Sequence, residues 1–176
     1  DITYLRTWEG WVYLAAVQDL YSRRIVGWSM ADHMRAELVV DALKMAVHRR
    51  QPEKGLIHHS DQGSQYVALA FGQFARANGI SQSMGQVGSA YDNSVAETFF
   101  ATLKKELVYR RSWQTRNEIR TEVFEYIEAF YNRQRRHSYL GWVSPAEFED
   151  RACPVLDEPT PDSIDRPLGK VLLKTD

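Results

Sequence analysis

Apolar residues along this chain keep two different rhythms. The opening segment, "DITYLRT" (1–7), alternates as a half-buried strand does. "WEG" offers a turn, and "WVYLAAVQD" (11–19) follows with a longer apolar run that predicts a second strand. "YSRR" turns again into "IVGWSM" (25–30), a third. Three strands joined by short turns predict an antiparallel meander. The rhythm then changes. In "AELVVDALKMAVHRR" (36–50) apolar residues recur at Leu38, Val39, Ala42, Leu43, Ala46 and Val47, a helical stripe that "QPEKG" stops.

Shorter elements follow. "LIHHS" (56–60) predicts a buried strand, 67–78 a helix ended by Gly79, and "ISQSM" (80–84) a fifth strand. "GQVGSAYDN" is a glycine-containing loop expected to act as a hinge that orders when DNA or metal arrives. Helices are expected over Ser94–Arg110 and Arg116–Arg136, the first with Val95, Phe99, Leu103 and Leu107 as its core stripe. A short helix at 144–150 would have Ser144 as cap and Pro145 at its first position. From residue 150 the chain carries four of its six prolines and reads as an extended tail on a core of residues 1–149. The order βββ-α-β-α-β-α-α predicts an α/β fold. Its mixed five-stranded sheet is antiparallel from the meander, parallel from the helical crossovers, and flanked by helices. In such open sheets, sites form at strand ends where connections diverge.

Composition narrows the field. The 176 residues suit one α/β domain with a sizeable core. No apolar run approaches the ~20 residues that span a bilayer, so no membrane partner is expected. No signal peptide is visible, and the start at Asp1 without Met reads as a fragment or processed piece. One cysteine, Cys153, excludes an internal disulfide framework and a Cys-rich zinc site, and a reducing, cytoplasmic setting is the default expectation. The net charge of −1 does not itself point to nucleic acid. From Glu149 onward, however, seven acids and four bases give −3, which leaves +2 on residues 1–148. "LKKE", "YRR" and "RQRRH" concentrate that charge, which permits a polyanionic partner without requiring one.

Three acids stand out by location. Asp1 opens the first strand, Asp61 directly follows the fourth, and Glu97 lies early on a helix. If the first and fourth strands are neighbours, the two aspartates are adjacent and the helix can bring Glu97 to both. Clustered carboxylates repel and need a cation, and hard oxygen ligands suit Mg²⁺ or Mn²⁺. Two such ions about 3.5–4 Å apart can activate the attacking oxygen of a phosphodiester displacement and stabilise the leaving one.

Thirty-five residues, 62–96, separate Asp61 from Glu97. That spacing and its flanks resemble the DDE transposase and retroviral integrase superfamily, nearest to the integrase-like core of bacterial insertion-sequence transposases of the orfB type. The stretches that carry the resemblance are "DITYLRTWEGWVYLAAVQDLYSRRIVGWSM", "HHSDQGSQY", "AYDNSVAETFFATLKKEL" and "YNRQRRHSYLGWVSPAEF", nearly all of residues 1–149. The resemblance implies an RNase H-like fold and metal-dependent cleavage and joining of DNA strands, with two Mg²⁺ or Mn²⁺ ions. The family's three carboxylates fall on Asp1, Asp61 and Glu97, its following cation on Lys104, and Asn93 one turn before Glu97 faces DNA. Seven helical residues make nearly two turns, so Glu97, Ala101 and Lys104 share a face. Implied partners are the DNA of element ends and target, and further copies of the chain on that DNA. In the family a helix-turn-helix region precedes this point and is expected to lie outside this chain. A terminal amine beside the site would weaken the activity of such a fragment.

Each residue also has a plainer reading. Asp61 can cap its loop, Glu97 can simply favour a helix's first turn, and Asp92 and Asn93 can form an Asx turn and cap. Asp19 reads as a turn residue. His58 and His59 alternate along a strand, so at most one lines the site and the other packs. Arg133, Arg135, Arg136 and His137 bind phosphate or solvate a helix end. The tryptophans, Trp142 among them, read as core or rim packing, and Gly63 and Gly88 as turn residues. The function that fits best is a DNA transposase catalytic domain. The alternatives are a nuclease of the same fold without strand transfer, or a non-catalytic DNA-binding or assembly module.

Overall fold

The computed structural model describes residues 1–84 and 94–152. The alternating start becomes β1 (Ile2–Thr7), in which Thr3, Leu5 and Thr7 are buried and Tyr4 and Arg6 are exposed. β2 (Gly10–Gln18) and β3 (Ile25–Ala31) complete the meander. The pairing is antiparallel throughout, with Ile2 opposite Ala15 and Leu14 opposite Met30. The long apolar run of β2 has a simple cause: both its faces are covered. Leu14 and Ala16 face one core, whereas Ala15 faces the other.

Helix α1 (Ala36–Arg50) buries the stripe expected of it, from Leu38 to Ala46. Its three last residues are basic, which suits a helix C-terminus, and Gln51 ends it in the left-handed region at φ 43°. α1 lies so close to β3 that a Cβ on Gly27 would stand 2.7 Å from the Ala46 nitrogen. β4 (Ile57–Ser60), α2 (Leu69–Ala77) and β5 (Ser81–Met84) follow, and β4 and β5 run parallel. Together α1 and α2 cover one face of the meander, where Leu38, Val39, Leu43, Phe71 and Ala75 pack around Ala15.

The opposite face is covered by α3 (Ser94–Glu106) and α4 (Arg116–Glu125), whose Phe99, Leu103, Ile119 and Val123 pack on Leu5, Val12 and Leu14. Phe99, Phe100 and Leu103 are the buried residues of α3, while Val95 and Leu107 are only partly covered. Both helices end sooner than the periodicity predicts. After α3 the chain tightens into a 3₁₀ turn, Val108–Arg110, where the Trp113 indole donates to the Val108 carbonyl at 2.9 Å. After α4 it widens into a π-helical turn, Tyr126–Tyr131, in which the Asn132 N–H donates to the carbonyl of Ile127, five residues back. The wider turn stacks Asn132 over Ile127 and buries it, and its amide clamps the Ile25 backbone, accepting at 2.9 Å and donating at 3.0 Å. α5 (Pro145–Ala152) starts as expected, with the Ser144 hydroxyl accepting from the Glu147 N–H. Glu149 on α5 pairs with Arg24 at 2.6 Å and with Arg50, which ties the last helix to the start of β3 and the end of α1.

The five expected strands all form. Among the described residues their hydrogen bonds divide them into two sheets, β1-β2-β3 and β4-β5, rather than one sheet of five. The single-sheet expectation needed a ladder between β1 and β4, and none joins them among those residues. The expected hinge, Asn93, Gly88 and most of the expected tail lie outside the described residues.

Candidate active site

The start of β1 and the end of β4 meet electrostatically. Asp1 continues the β1 ladder: its amine donates to the Ala16 carbonyl at 3.0 Å and its carbonyl accepts from the Ala16 N–H at 2.9 Å. Burial pushes that amine down to about 6, and the negative charge of Asp61 opposes the shift. The amine in turn helps to hold His58 in its neutral form. Alternation along β1 puts the Asp1 side chain on the face of Thr3 and Leu5, the face that α3 covers.

Asp61 leaves β4 exposed to solvent, and its Oδ1 accepts from the Gly63 N–H at 2.9 Å. The loop-capping geometry of its plainer reading is therefore present. A Cβ on Gly63 would lie 2.9 Å from that carboxylate oxygen, so a larger residue there would make the Asp61 side chain shift. Beneath the loop, His58, Tyr66 and Phe71 form an aromatic wall, with both other rings 5.3 Å from Phe71. Burial, and then the charge of Asp61, raises the Tyr66 phenol. His58 is thus the packed histidine of the pair and His59 the exposed one. Asp19 takes its plainer role: its Oδ1 accepts from the N–H groups of Tyr21 and Ser22.

Glu97 is exposed in the first turn of α3. A cavity of ≈ 420 Å³ is lined by Asp1, His58 and His59 on one side and by Val95 and Ala96, the residues just before Glu97, on the other. Asp1 lines this cavity, whereas Asp61 and Glu97 are not among the residues that line it. The hard oxygen donors of all three suit a divalent cation such as Mg²⁺, and Asp61 and Glu97 form no ion pair among the described residues. Among those residues, however, no three of His, Cys, Asp and Glu lie close enough together to hold a metal ion.

The expected DNA contacts divide. Lys104 reaches past the edge strand β1 to the Tyr4 ring, 5.0 Å from its centroid. Arg133 and Arg136 are exposed, whereas His137 is half-buried against Tyr131. Arg135 serves structure, since its guanidinium grips Glu106, which also accepts from the Tyr126 hydroxyl at 2.7 Å. The sequence reading missed Asn132 and the groove around Arg23, Tyr139 and Trp142. The signal for the groove was present in "RRHSYLGW", where bases and aromatics interleave. Of the tryptophans, Trp113 is core, but Trp8 and Trp142 are exposed.

The structure resembles retroviral integrase catalytic cores. For the HTLV-2 integrase catalytic core domain in complex with magnesium, the TM-score is 0.61 at 15% identity, over 84% of this chain and 91% of that one. For the BIV integrase catalytic core domain it is 0.59 at 17% identity, over 86% and 92%. At such identities the likeness establishes the fold, the RNase H-like α/β class. In sequence, the chain is 46% identical over 151 residues to the transposase InsF of insertion sequence IS3A from Escherichia coli K12, covering 86% of this chain and 52% of that protein. It is equally similar to a 31 kDa protein of insertion element IS600 from Shigella sonnei, of which 56% is covered. The chain thus spans about half the length of the curated relatives it matches. The family model described as integrase core domain matches residues 1–90, and a second of the same description matches 97–152. The first match contains Asp1 and Asp61, the second begins at Glu97, and the chain belongs to the integrase core domain family.

Proposed function

We propose that this chain is the catalytic core of a DNA transposase that cuts and joins DNA strands at Asp1, Asp61 and Glu97. The observation that carries the reading is the match to the integrase core domain over residues 1–90 and 97–152, which contain all three carboxylates. Mg²⁺ or Mn²⁺, two ions held by the three carboxylates, would activate the attacking oxygen and stabilise the leaving one. The chain's own residues do the rest. β1 and β4 fix the two aspartates on strand ends. Gly63 and the wall of His58, Tyr66 and Phe71 hold the Asp61 loop. Glu97 completes the site from α3 when DNA is bound, just as catalytic contacts often tighten only in the working complex. Lys104, with Arg133 and Arg136, holds backbone phosphates, and Asn93 faces DNA. In the working protein β1 also joins β4, which closes the two sheets into one mixed sheet of five strands. The protein acts as a multimer on DNA, because two element ends must be joined to one target.

A strand-transfer assay with the longer protein, element-end DNA and target DNA tests this. Asp61→Asn and Glu97→Gln should each lower Mg²⁺- or Mn²⁺-dependent joining by at least about a hundredfold, the scale of losing one group that stabilises transition-state charge. Full activity in either variant would refute the assignment.

A further inference from the structure

A second cavity, ≈ 400 Å³, opens on the other flank of α3. Ser94, Thr98 and Thr102 line it, and helical rotation turns Glu97 and Lys104 away from the flank that carries Thr98 and Thr102. The facing wall comes from Arg23, in the turn between β2 and β3, and from the segment Arg135–Trp142. Among the described residues, no Asp or Glu lines the cavity. Arg135 is committed to Glu106, but Arg136 is exposed and forms no ion pair among the described residues. The Arg23 guanidinium lies over the Tyr139 ring, 4.1 Å from its centroid.

The aromatic rim is held outward at a cost. The segment is closed by the His137–Val143 bridge, and the Trp142 N–H donates to the His137 carbonyl. Tyr139 is 69% exposed and Trp142 68%, so neither ring serves the core. Three non-glycine residues among those described have positive φ, and two of them, Arg23 at 61° and Trp142 at 65°, line this cavity. That conformation is strained for a side chain as bulky as Trp, and such strain collects at functional sites. The Nε2 of His137 is buried at the cavity wall and has no partner among the described residues.

We propose that this groove binds unpaired nucleotides flanking the phosphodiester that reacts at Glu97, an inference that rests on the transposase reading above. Exposed rings give bases a face to stack on, which a duplex, with its base faces already stacked, does not need. Arg136 and Arg23 pair with phosphate, and the α3 hydroxyls and His137 Nε2 hydrogen-bond to sugar or base. The helix is ~10 Å across, so a strand passing over α3 from Glu97 reaches the groove within a few nucleotides.

The test compares binding of the longer protein to a blunt duplex and to the same duplex with a short thymidine extension carrying 2-aminopurine. The wild type should bind the extended duplex more tightly and quench the 2-aminopurine emission. Trp142→Gly removes the ring and relieves the positive φ, so the fold is not at risk. It should weaken binding of the extended duplex about tenfold, the scale of one base stack, and abolish the quench, with blunt-duplex affinity unchanged. Tyr139→Ala should act in the same direction. A wild type that binds both duplexes equally without quenching, or a Trp142→Gly protein that keeps the preference, would overturn the groove and leave the transposase reading standing. Failure of the wild type to bind either duplex would bring down both.

Discussion

His58 is the residue whose environment makes the most definite statement about pH. It sits between Phe71 and Tyr66, and burial lowers its pKa from 6.5 to about 4, helped by the charges of the Asp1 amine and His59. His137 is also lowered to about 4, by burial and then Arg135, with Glu106 opposing and Arg23 adding to the shift. Both imidazoles are therefore neutral in the folded chain at pH values where the unfolded chain protonates them. Their contribution to stability is intact above about 6.5 and is lost as pH falls toward 4, because the unfolded state then binds more protons. The loss runs at up to about 1.4 kcal/mol per pH unit for a fully buried histidine, less for the half-buried His137. Urea midpoints at pH 7 and pH 5 should show it, and His58→Phe should flatten the difference. An unchanged difference in that variant would mean that His58 titrates normally. The packing of one histidine was legible from alternation along the strand, but which one was not. That choice depends on Phe71 and Tyr66, which reach His58 only through the fold.

At the scale of elements, spans were legible wherever local periodicity governs them. α1 covers the expected residues 36–50, because a single face packs on the sheet along its whole length. The two misjudged helix ends have tertiary causes. The carbonyl of Val108 goes to the Trp113 indole, and the wide turn after α4 delivers Asn132 to the backbone of Ile25, at the start of β3. No local pattern announces either contact. Gly27 is the sharpest test at this scale. A Cβ there would meet the Ala42 carbonyl oxygen as well as the Ala46 nitrogen, both backbone atoms of α1 that cannot swing aside. Gly27→Ala should therefore push α1 off β3 and destabilise the fold by about 3 kcal/mol, the upper end for overpacking, read as a lower denaturant midpoint. A midpoint within error of the wild type would show that α1 does not pack as closely as described.

At the scale of the whole molecule, the layers followed from the sequence pattern and the closure of the sheet did not. Helices were expected on the faces of the sheet, and two helical layers cover the two faces of the meander. Whether β1 pairs with β4 depends on residues far apart in the chain, on which periodicity is silent. The same limit applies to the site. The spacing and flanks of Asp61 and Glu97 singled out the candidate carboxylates, and the fold brings Asp1 within electrostatic reach of Asp61. The approach of Glu97 is set by how α3 seats on the meander, which no short motif encodes.

Catalysis as proposed requires that Asp1, Asp61 and Glu97 act as one metal-binding site on DNA. The most direct measurement is the position of Mn²⁺, by anomalous scattering, in crystals of the longer protein bound to DNA. Mn²⁺ bridging all three carboxylates is the result expected, and Mn²⁺ bound at other residues, with these three left without it, would refute the assignment of the site.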